Sequence, residues 1–322
     1  MKLAGKMAII AGGLVVTGGL IVGISAGIAI NKYQKGELGH INKESVEMVF
    51  KADATDIEKV DIALISEDFE IKPVNGNEIT IEYSDYEENP IYEAKAENNK
   101  LTFKRDTSIT KINGIEDIIV ELLRDNDNNQ KPILISLPRT LVAEYNITSV
   151  SGSFKGESLN AKKLDIASTS GNISLDQGSA SEDIDIASVS GDINLSNIES
   201  KEDIAFSTTS GNHKLSNISC AQNIELNSIS GEITADSLSC RNIEVNTTSG
   251  SLNFTETSIE KKFEGNSTSG SFNVSLIGDE DDFSIELSTI SGFKNLHNKD
   301  TDAPKSIEIS TISGDIEIGM VH

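Results

Sequence analysis

Seven carboxylates recur at one position of a repeating unit, and they are the residues of this chain best suited to binding. A Ser-Gly pair returns about every 20 residues, and from the second unit onward the fifth residue before its serine is acidic in seven of eight units. If the units stack, these side chains form one exposed column whose like charges repel unless solvent, salt or a bound cation screens them. The seven residues are Asp165, Asp185, Glu225, Glu244, Glu264, Glu286 and Glu308.

Two functions suit such a column. One is a strip that binds divalent cations or cationic polymers such as antimicrobial peptides. The other is an acidic, solvated face that keeps the protein soluble. Calcium-binding β-roll proteins use a Gly- and Asp-rich nonapeptide repeat, and this sequence has no such period. We therefore predict no dedicated metal site.

The two cysteines of the chain are the second candidate for chemistry. Cys220 and Cys240 each lie ten residues after a repeat serine in consecutive units, so stacking places one above the other. Strands about 4.8 Å apart fall within the Cα range of disulfides, although parallel Cβ vectors strain the bond. A disulfide and a pair of buried free thiols both fit the pattern.

Catalytic motifs do not occur in the sequence. His40, His213, His297 and His322 share no metal-ligand spacing, and there is no phosphate-binding glycine loop, nucleophile elbow or Cys-His pair. We predict no catalytic residues, no cofactor and no enzyme activity. The alternative is a polysaccharide-acting β-helix enzyme, which would need a basic groove to bind an acidic polymer.

The element that must position these residues is a repeat marked by nine Ser-Gly pairs. The pairs run from Ser151-Gly152 to Ser313-Gly314 at intervals of 19 to 22 residues. Apolar residues four and six positions before each serine alternate with polar ones, and a Ser or Thr stands two before it, which is the period of a strand. Each unit therefore predicts strand, glycine corner, strand and loop, with the small hydroxyl facing inward at the corner.

Regular repeats of this length are typical of stacked coils. We predict an all-β fold, a parallel β-helix or β-solenoid of about nine coils of about 20 residues each. A β-sandwich or meander is the alternative, because evenly spaced short strands also suit those folds. Aromatic residues make up 5% of the chain and Trp is absent, as expected for a narrow aliphatic core.

The N-terminus carries the 23 uncharged, mostly apolar residues 8–30, enough to span a bilayer. We predict a single-pass membrane anchor with a cytoplasmic N-terminus and an extracytoplasmic C-terminal domain. A cleaved signal peptide is the alternative, because Gly27-Ile28-Ala29 offers small residues near a cleavage site. Without Lys2 and Lys6, 25 basic and 51 acidic residues give a formal charge of −26, which excludes nucleic acid as a natural partner.

The predicted organisation has four parts. Residues 1–31 are the membrane anchor, 32–56 a juxtamembrane linker, 57–140 an N-terminal β segment or cap containing a loop at 106–131, and 141–322 the Ser-Gly solenoid. Strand alternation in the third part, as at Val60, Ile62 and Leu64, supports the cap.

Several motifs resemble the bacterial putative-adhesin family, a domain of unknown function. They are the opening Lys59–Leu64, the turn Asn98-Asn99-Lys100 into a strand, Ile135–Pro138 before the array, and the Ser-Gly-x-Ile-x-Leu units, together spanning about residues 57–318. The resemblance implies a membrane-anchored surface protein, with relatives often associated with envelope stress, and it supplies no catalytic residues. The predicted function is an acidic interaction surface for adhesion or envelope-stress sensing. Its partners would be cationic peptides, divalent cations or envelope proteins.

Overall fold

The computed structural model describes residues 45–87, 90–105 and 131–322, which form 21 β-strands and one short 3₁₀ helix, Glu280–Asp282. The first seven strands are β1 Val46–Asp53, β2 Lys59–Ala63, β3 Phe69–Val74, β4 Glu78–Asp85, β5 Tyr92–Glu97, β6 Lys100–Arg105 and β7 Ile133–Pro138. The others are β8 Ala143–Ser149, β9 Phe154–Ser168, β10 Ile173–Ala180, β11 Ile184–Ser188, β12 Ile193–Ser200, β13 Ile204–Thr208, β14 His213–Cys220, β15 Asn223–Ser228, β16 Ile233–Thr247, β17 Leu252–Ser267, β18 Phe272–Ile277, β19 Phe283–Thr289, β20 Lys305–Thr311 and β21 Ile316–Val321.

These ranges contain no helix that is both long and apolar enough to cross a bilayer. The predicted membrane segment 8–30 lies outside the described residues, as does the predicted loop 106–131 apart from Lys131. Strand β1 falls within the segment predicted to be a linker.

The strands pair in parallel with the equivalent strands of neighbouring coils, which excludes the sandwich and the meander. Ile184 pairs with Leu164 on one side and with Ile204 on the other, and all three are fully buried. Stacked apolar positions thus form continuous columns inside the coils. The predicted parallel β-solenoid is confirmed.

Eight of the nine Ser-Gly units form a complete turn with a strand on each side of the corner. In the ninth, β19 precedes Ser291-Gly292, but the chain after it forms isolated bridges instead of a strand. The prediction of nine coils is therefore corrected to about eight. The reason is that the segment after Gly292 covers the open end of the solenoid. There, Asn295 bonds both the N–H and the C=O of Ile318, and Asn298 accepts from the N–H of Leu287.

The corner glycines form a column in which no Cβ fits. A Cβ on Gly191 would lie 2.1 Å from the carbonyl oxygen of Gly171, and the same contact recurs from coil to coil. The small hydroxyls face inward there, as predicted: Ser149 donates to the Gly152 carbonyl at 2.7 Å, and Ser188 accepts from the Gly191 N–H at 2.8 Å. These two hydroxyls satisfy corner backbone groups that the ladder leaves unpaired, whereas Ser168 Oγ and Thr247 Oγ1 at the equivalent positions are buried without a partner among the described residues.

The coils at both ends stack out of sequence order. Strand β20 inserts between β17 and β19, so the last coil of the chain is not the last coil of the stack. At the other end β2 lies between β8 and β6, and β3 lies between β9 and β7. Strands β1 and β4 then add an antiparallel layer beyond β7.

Candidate functional site

The seven predicted carboxylates lie in one column on the strands that precede the Ser-Gly corners. Strand register places Asp185 beside Asp165 and Glu244 beside Glu225. Near the C-terminal end Glu264 is followed by Glu308 and then by Glu286, because β20 inserts before β19. The column is interrupted once, at the buried Ala205.

Two lysines, which the sequence reasoning missed, bridge adjacent carboxylates of the column. Lys163 Nζ lies 2.7 Å from Asp165 Oδ1 and 3.5 Å from Asp185 Oδ2. Lys262 Nζ lies 2.8 Å from Glu264 and 2.7 Å from Glu308. Each lysine stands two residues before the carboxylate of its own coil, so both side chains lie on the same face, and this spacing is the signal that could have found them.

The middle of the column lacks such a lysine. Within the described residues, Glu225 and Glu244 form no salt bridge, and their hydrogen bonds come from asparagines two residues further on. Asn227 Nδ2 donates to Glu225 at 2.7 Å, and Asn246 Nδ2 donates to Glu244 at 2.9 Å. Two carboxylates on adjacent strands about 4.8 Å apart repel one another by roughly 1 kcal/mol even in bulk water.

Asparagine ladders flank these two glutamates on both sides. Asn246 donates to Asn227 at 3.3 Å on one side, and Asn242 donates to Asn223 at 2.8 Å on the other. The amide chains bond to one another from coil to coil, which orders the side chains on this face. Glu225 and Glu244 therefore stand on a flat and rigid polar surface.

The two ends of the column differ in their electrostatics. Burial, together with the neighbouring Asp165 charge, raises the pKa of Asp185 to about 6 although Lys163 opposes the shift. Asp185 Oδ1 is buried and has no hydrogen-bond partner among the residues that the structure describes. The hydrogen bond from Lys262 lowers the pKa of Glu264. An ammonium group thus stabilises the charged form where the carboxylates are accessible.

Apart from the carboxylate column, a charged recess of about 400 Å³ lies near the N-terminal end, between the β5–β6 hairpin and β2. It brings lysines beside carboxylates, as the enzyme alternative requires. Each of those lysines, however, forms a salt bridge. Lys104 lies 2.8 Å from Glu93, Lys95 also contacts Glu93, and Lys100 contacts Asp61. The hydrogen bonds from Lys104 and Lys95 lower the pKa of Glu93 to about 2, so Glu93 does not hold a proton for general acid catalysis near neutral pH.

Cys220 and Cys240 are adjacent, buried free thiols. The rung beside them pairs Ser219 with Ser239, so the two thiols occupy the next rung of adjacent coils. Among the described residues no cluster of three or more His, Cys, Asp or Glu side chains is arranged to hold a metal ion.

The sequence reasoning also missed a tenth corner, in which Glu67 takes the place of the glycine. The corner of Gly152 packs directly on the Glu67 backbone, so Ser66-Glu67 is equivalent to a Ser-Gly pair. The Glu67 side chain forms a buried salt bridge with Arg105 and accepts a hydrogen bond from Tyr92 Oη at 2.8 Å. Burial alone would raise the pKa of Glu67, but Arg105 and backbone N–H groups lower it. The buried Glu67–Arg105 pair lies next to the first Ser-Gly corner, at the N-terminal end of the repeat array.

Comparison with known proteins finds no match among curated proteins. Three crystal structures are similar in part. A "putative lipid binding protein" from Parabacteroides distasonis shares 15% identity and a TM-score of 0.43, covering 87% of this chain and 98% of that one. A "putative adhesin" from Bacteroides fragilis shares 14% and 0.43, covering 88% and 100%. A "putative cell adhesion protein" from Clostridium sporogenes shares 14% and 0.21, covering 86% and 100%.

The predicted resemblance spans about residues 57–318, from the strand β2 motif to the last Ser-Gly unit. The model of the family described as Toastrack DUF4097 matches residues 57–319. The resemblance is confirmed, and the chain belongs to the Toastrack DUF4097 family.

Proposed function

We propose that this protein is a non-enzymatic, membrane-anchored interaction module whose acidic solenoid face binds a cationic ligand outside the cytoplasm. The ligand carries primary ammonium groups, as a lysine-rich peptide does, and its binding site is the stacked pair Glu225 and Glu244. Adhesion and the sensing of envelope stress are two uses of the same surface.

The observation that carries this proposal is the contrast along one column. Lys163 and Lys262 each place an ammonium between carboxylates of adjacent coils at 2.7 to 3.5 Å. Glu225 and Glu244 repeat that stack without an ammonium from the described residues. A ligand ammonium therefore finds in the middle of the column the geometry that lysine side chains of this chain already use at its ends.

The chemistry of the face favours an ammonium ligand over a divalent cation. Calcium takes six to eight oxygen ligands arranged around the ion, whereas neighbouring carboxylates here project in parallel from a flat sheet. The polar groups beside them are amides that already bond to one another. An extended cationic peptide can instead follow the column and contact one carboxylate per coil.

The location outside the cytoplasm rests on the sequence. Residues 8–30 are long enough to anchor the chain, and the long β domain follows them. The formal charge of −26 on the part after Lys6 attracts cations over a distance of about 10 Å at 0.1 M salt. The same field repels acidic polysaccharides, which weighs against the enzyme alternative.

The test is calorimetric titration of the full chain, in nanodiscs of neutral lipid, with a lysine homopeptide at low and high salt. The variant Glu225→Gln/Glu244→Gln removes two stacked charges. The matched control Glu199→Gln/Glu317→Gln removes two exposed charges whose neighbours in the stack are serines and an asparagine. We expect saturable binding that is lost in the first variant and kept in the control. Equal, weak and salt-sensitive binding in all three proteins would refute the site.

A further inference from the structure

Cys220 and Cys240 form a pair of thiols inside the solenoid that the proposed function does not use. Both point inward in one column, in which Ser200 precedes Cys220 and Ile259 follows Cys240. Cys220 is 8% exposed and Cys240 is 4% exposed. The column is otherwise filled by small or aliphatic side chains, so no bulky group separates the two sulfur atoms.

The two thiols lie side by side and affect one another's protonation. Cys240 Sγ donates to the Asn242 carbonyl oxygen at 3.2 Å. The neighbouring Cys240 lowers the pKa of Cys220, whereas Cys220 and burial raise the pKa of Cys240. Cys220 is thus the thiol that loses its proton first and is also the more exposed of the two.

Strand geometry permits a covalent bond between them. The Cα atoms of paired residues on adjacent strands are about 4.8 Å apart, inside the range of about 4.4 to 6.8 Å found for disulfides. Because the Cβ atoms of stacked residues project in parallel, a disulfide between them is strained. Strained disulfides are more easily reduced than relaxed ones.

We propose that Cys220 and Cys240 are a reversible redox site, in which an external disulfide oxidises the two thiols to a disulfide that links adjacent coils. The thiolate of Cys220 attacks one sulfur of the external disulfide and releases the other as a thiol. Cys240 then loses its proton and attacks the sulfur of Cys220, which expels the second thiol. Two protein thiols are oxidised and one external disulfide is reduced, so electrons and protons balance.

The assignment of roles follows from exposure and bonding. Cys220 meets the external disulfide first because it is less buried, and Cys240 resolves the mixed disulfide from within the core. An exported protein meets disulfides in its surroundings, and the linkage would close a loop of 20 residues between consecutive coils. The site rests on the location outside the cytoplasm proposed above but not on the carboxylate column, so the redox proposal and the binding of a cationic ligand can fail separately.

The test is equilibration of the full chain in nanodiscs with glutathione disulfide and glutathione at fixed ratios, followed by acid quenching, alkylation and intact mass measurement. We expect the native protein to lose both alkylatable thiols together, with no mass increase from a bound glutathione, as an internal disulfide requires. Cys220→Ser and Cys240→Ser each keep a single thiol and should never form this internal disulfide. The same titration in urea provides the unfolded reference.

Stacking predicts that the native protein oxidises at a ratio of glutathione disulfide to glutathione at least tenfold lower than the protein in urea, because the fold raises the effective concentration of one thiol near the other. Two outcomes would overturn the proposal. One is a native protein that keeps both thiols at ratios that oxidise the unfolded chain. The other is a native protein that accumulates mixed disulfides with glutathione as the single variants do.

Discussion

Asn242 pairs in register with Lys262 on the neighbouring coil. The same position of the repeat thus holds an amide in one coil and an ammonium in the next. Where it holds Lys262, two stacked glutamates are neutralised. Where it holds an asparagine, the glutamates are left to solvent or to a ligand.

Replacing Asn223 with lysine should fill the proposed site from within. By the geometry of Lys262, a lysine at 223 reaches Glu225 in its own coil and Glu244 in the next. Ion pairs between a lysine and a carboxylate at this degree of exposure contribute about 0.2 to 1 kcal/mol to the free energy of unfolding. Asn223→Lys should therefore raise the melting temperature slightly. Binding of a lysine homopeptide should be abolished although both glutamates remain.

The matched control is Asn194→Lys, which adds the same charge on the other strand of the coil, where it neighbours Ser174 and Lys214. It should weaken binding only slightly, through the net charge. If both lysine variants bind the peptide equally well, the ligand does not use the Glu225–Glu244 stack.

The corner glycines should be the least replaceable residues of the solenoid. In Gly191→Ala the new methyl would lie 2.1 Å from the Gly171 carbonyl oxygen, so two coils must separate locally. We expect a loss of at least about 3 kcal/mol in the free energy of unfolding, at the upper end of overpacking effects. Urea denaturation followed by circular dichroism measures it.

Gly319→Ala is the comparison, because its new methyl would come no closer than 3.3 Å to Ser275 Oγ at the end of the stack. It should cost less than about 1 kcal/mol. Similar losses in the two variants would show that the corner is not sterically required.

The repeat could be predicted from the sequence because one local rule is used many times. The glycine corner, the inward hydroxyl of Ser149 and the carboxylate column all follow from the parity of a strand and from stacking. The position of Glu225 beside Glu244 needed no knowledge of the remaining fold, since adjacent units differ by one coil.

The ends could not be predicted in the same way. Strands β19 and β20 carry the same alternation of apolar and polar residues, so either could pair with β17. The local sequence does not indicate that β20 is the strand that does so. Glu67 hides a corner because its side chain removes the Ser-Gly signal. The spacing of Lys163 two residues before Asp165 predicts the contact within its own coil, but its further reach to Asp185 in the next coil depends on side-chain conformation, which a pattern of residue types does not encode.

Asp185 should make stability depend on pH in the acidic range. Its pKa is raised to about 6 in the folded protein, against about 3.9 in an unfolded chain. The folded state therefore binds the proton more tightly, and stability falls as the pH rises from about 4 to about 6. Asp185→Asn removes this penalty and should stabilise the protein at pH 8 by up to about 3 kcal/mol, because about two pKa units separate the folded and unfolded values.

Urea denaturation at pH 5 and pH 8 tests this prediction, with Asp165→Asn as the control for a more exposed carboxylate that contacts the same lysine. Because Asp185 is largely protonated in the folded protein at pH 5, the gain in stability of Asp185→Asn over the wild type should be larger at pH 8 than at pH 5. The corresponding dependence in Asp165→Asn should be smaller, because the Asp165 charge is only one of the causes that raise the pKa of Asp185. An Asp185→Asn protein that is less stable than the wild type at pH 8 would show that the Lys163 contact outweighs the cost of burial.

His213 should change the stability of the fold with pH in the direction opposite to that of Asp185. It is 1% exposed, and its neighbours in the stack are Ile193 and Ile233. Nε2 bonds Thr208 Oγ1 at 2.9 Å, and Nδ1 has no partner among the described residues. Burial lowers its pKa to about 4, so the neutral ring is the form that the core accepts.

The folded pKa of this base lies below the unfolded value of about 6.5. The unfolded state therefore takes up the proton first, and stability is lost as the pH falls from about 6.5 towards 4. At pH 5 the loss should be about 2 kcal/mol relative to pH 8, since pH 5 lies about 1.5 units below the unfolded pKa of about 6.5. His213→Ile restores the residue type of both neighbouring coils and should remove this dependence, leaving the opposite slope due to Asp185. An unchanged pH profile in His213→Ile would mean that the ring is already accessible to protons in the folded protein.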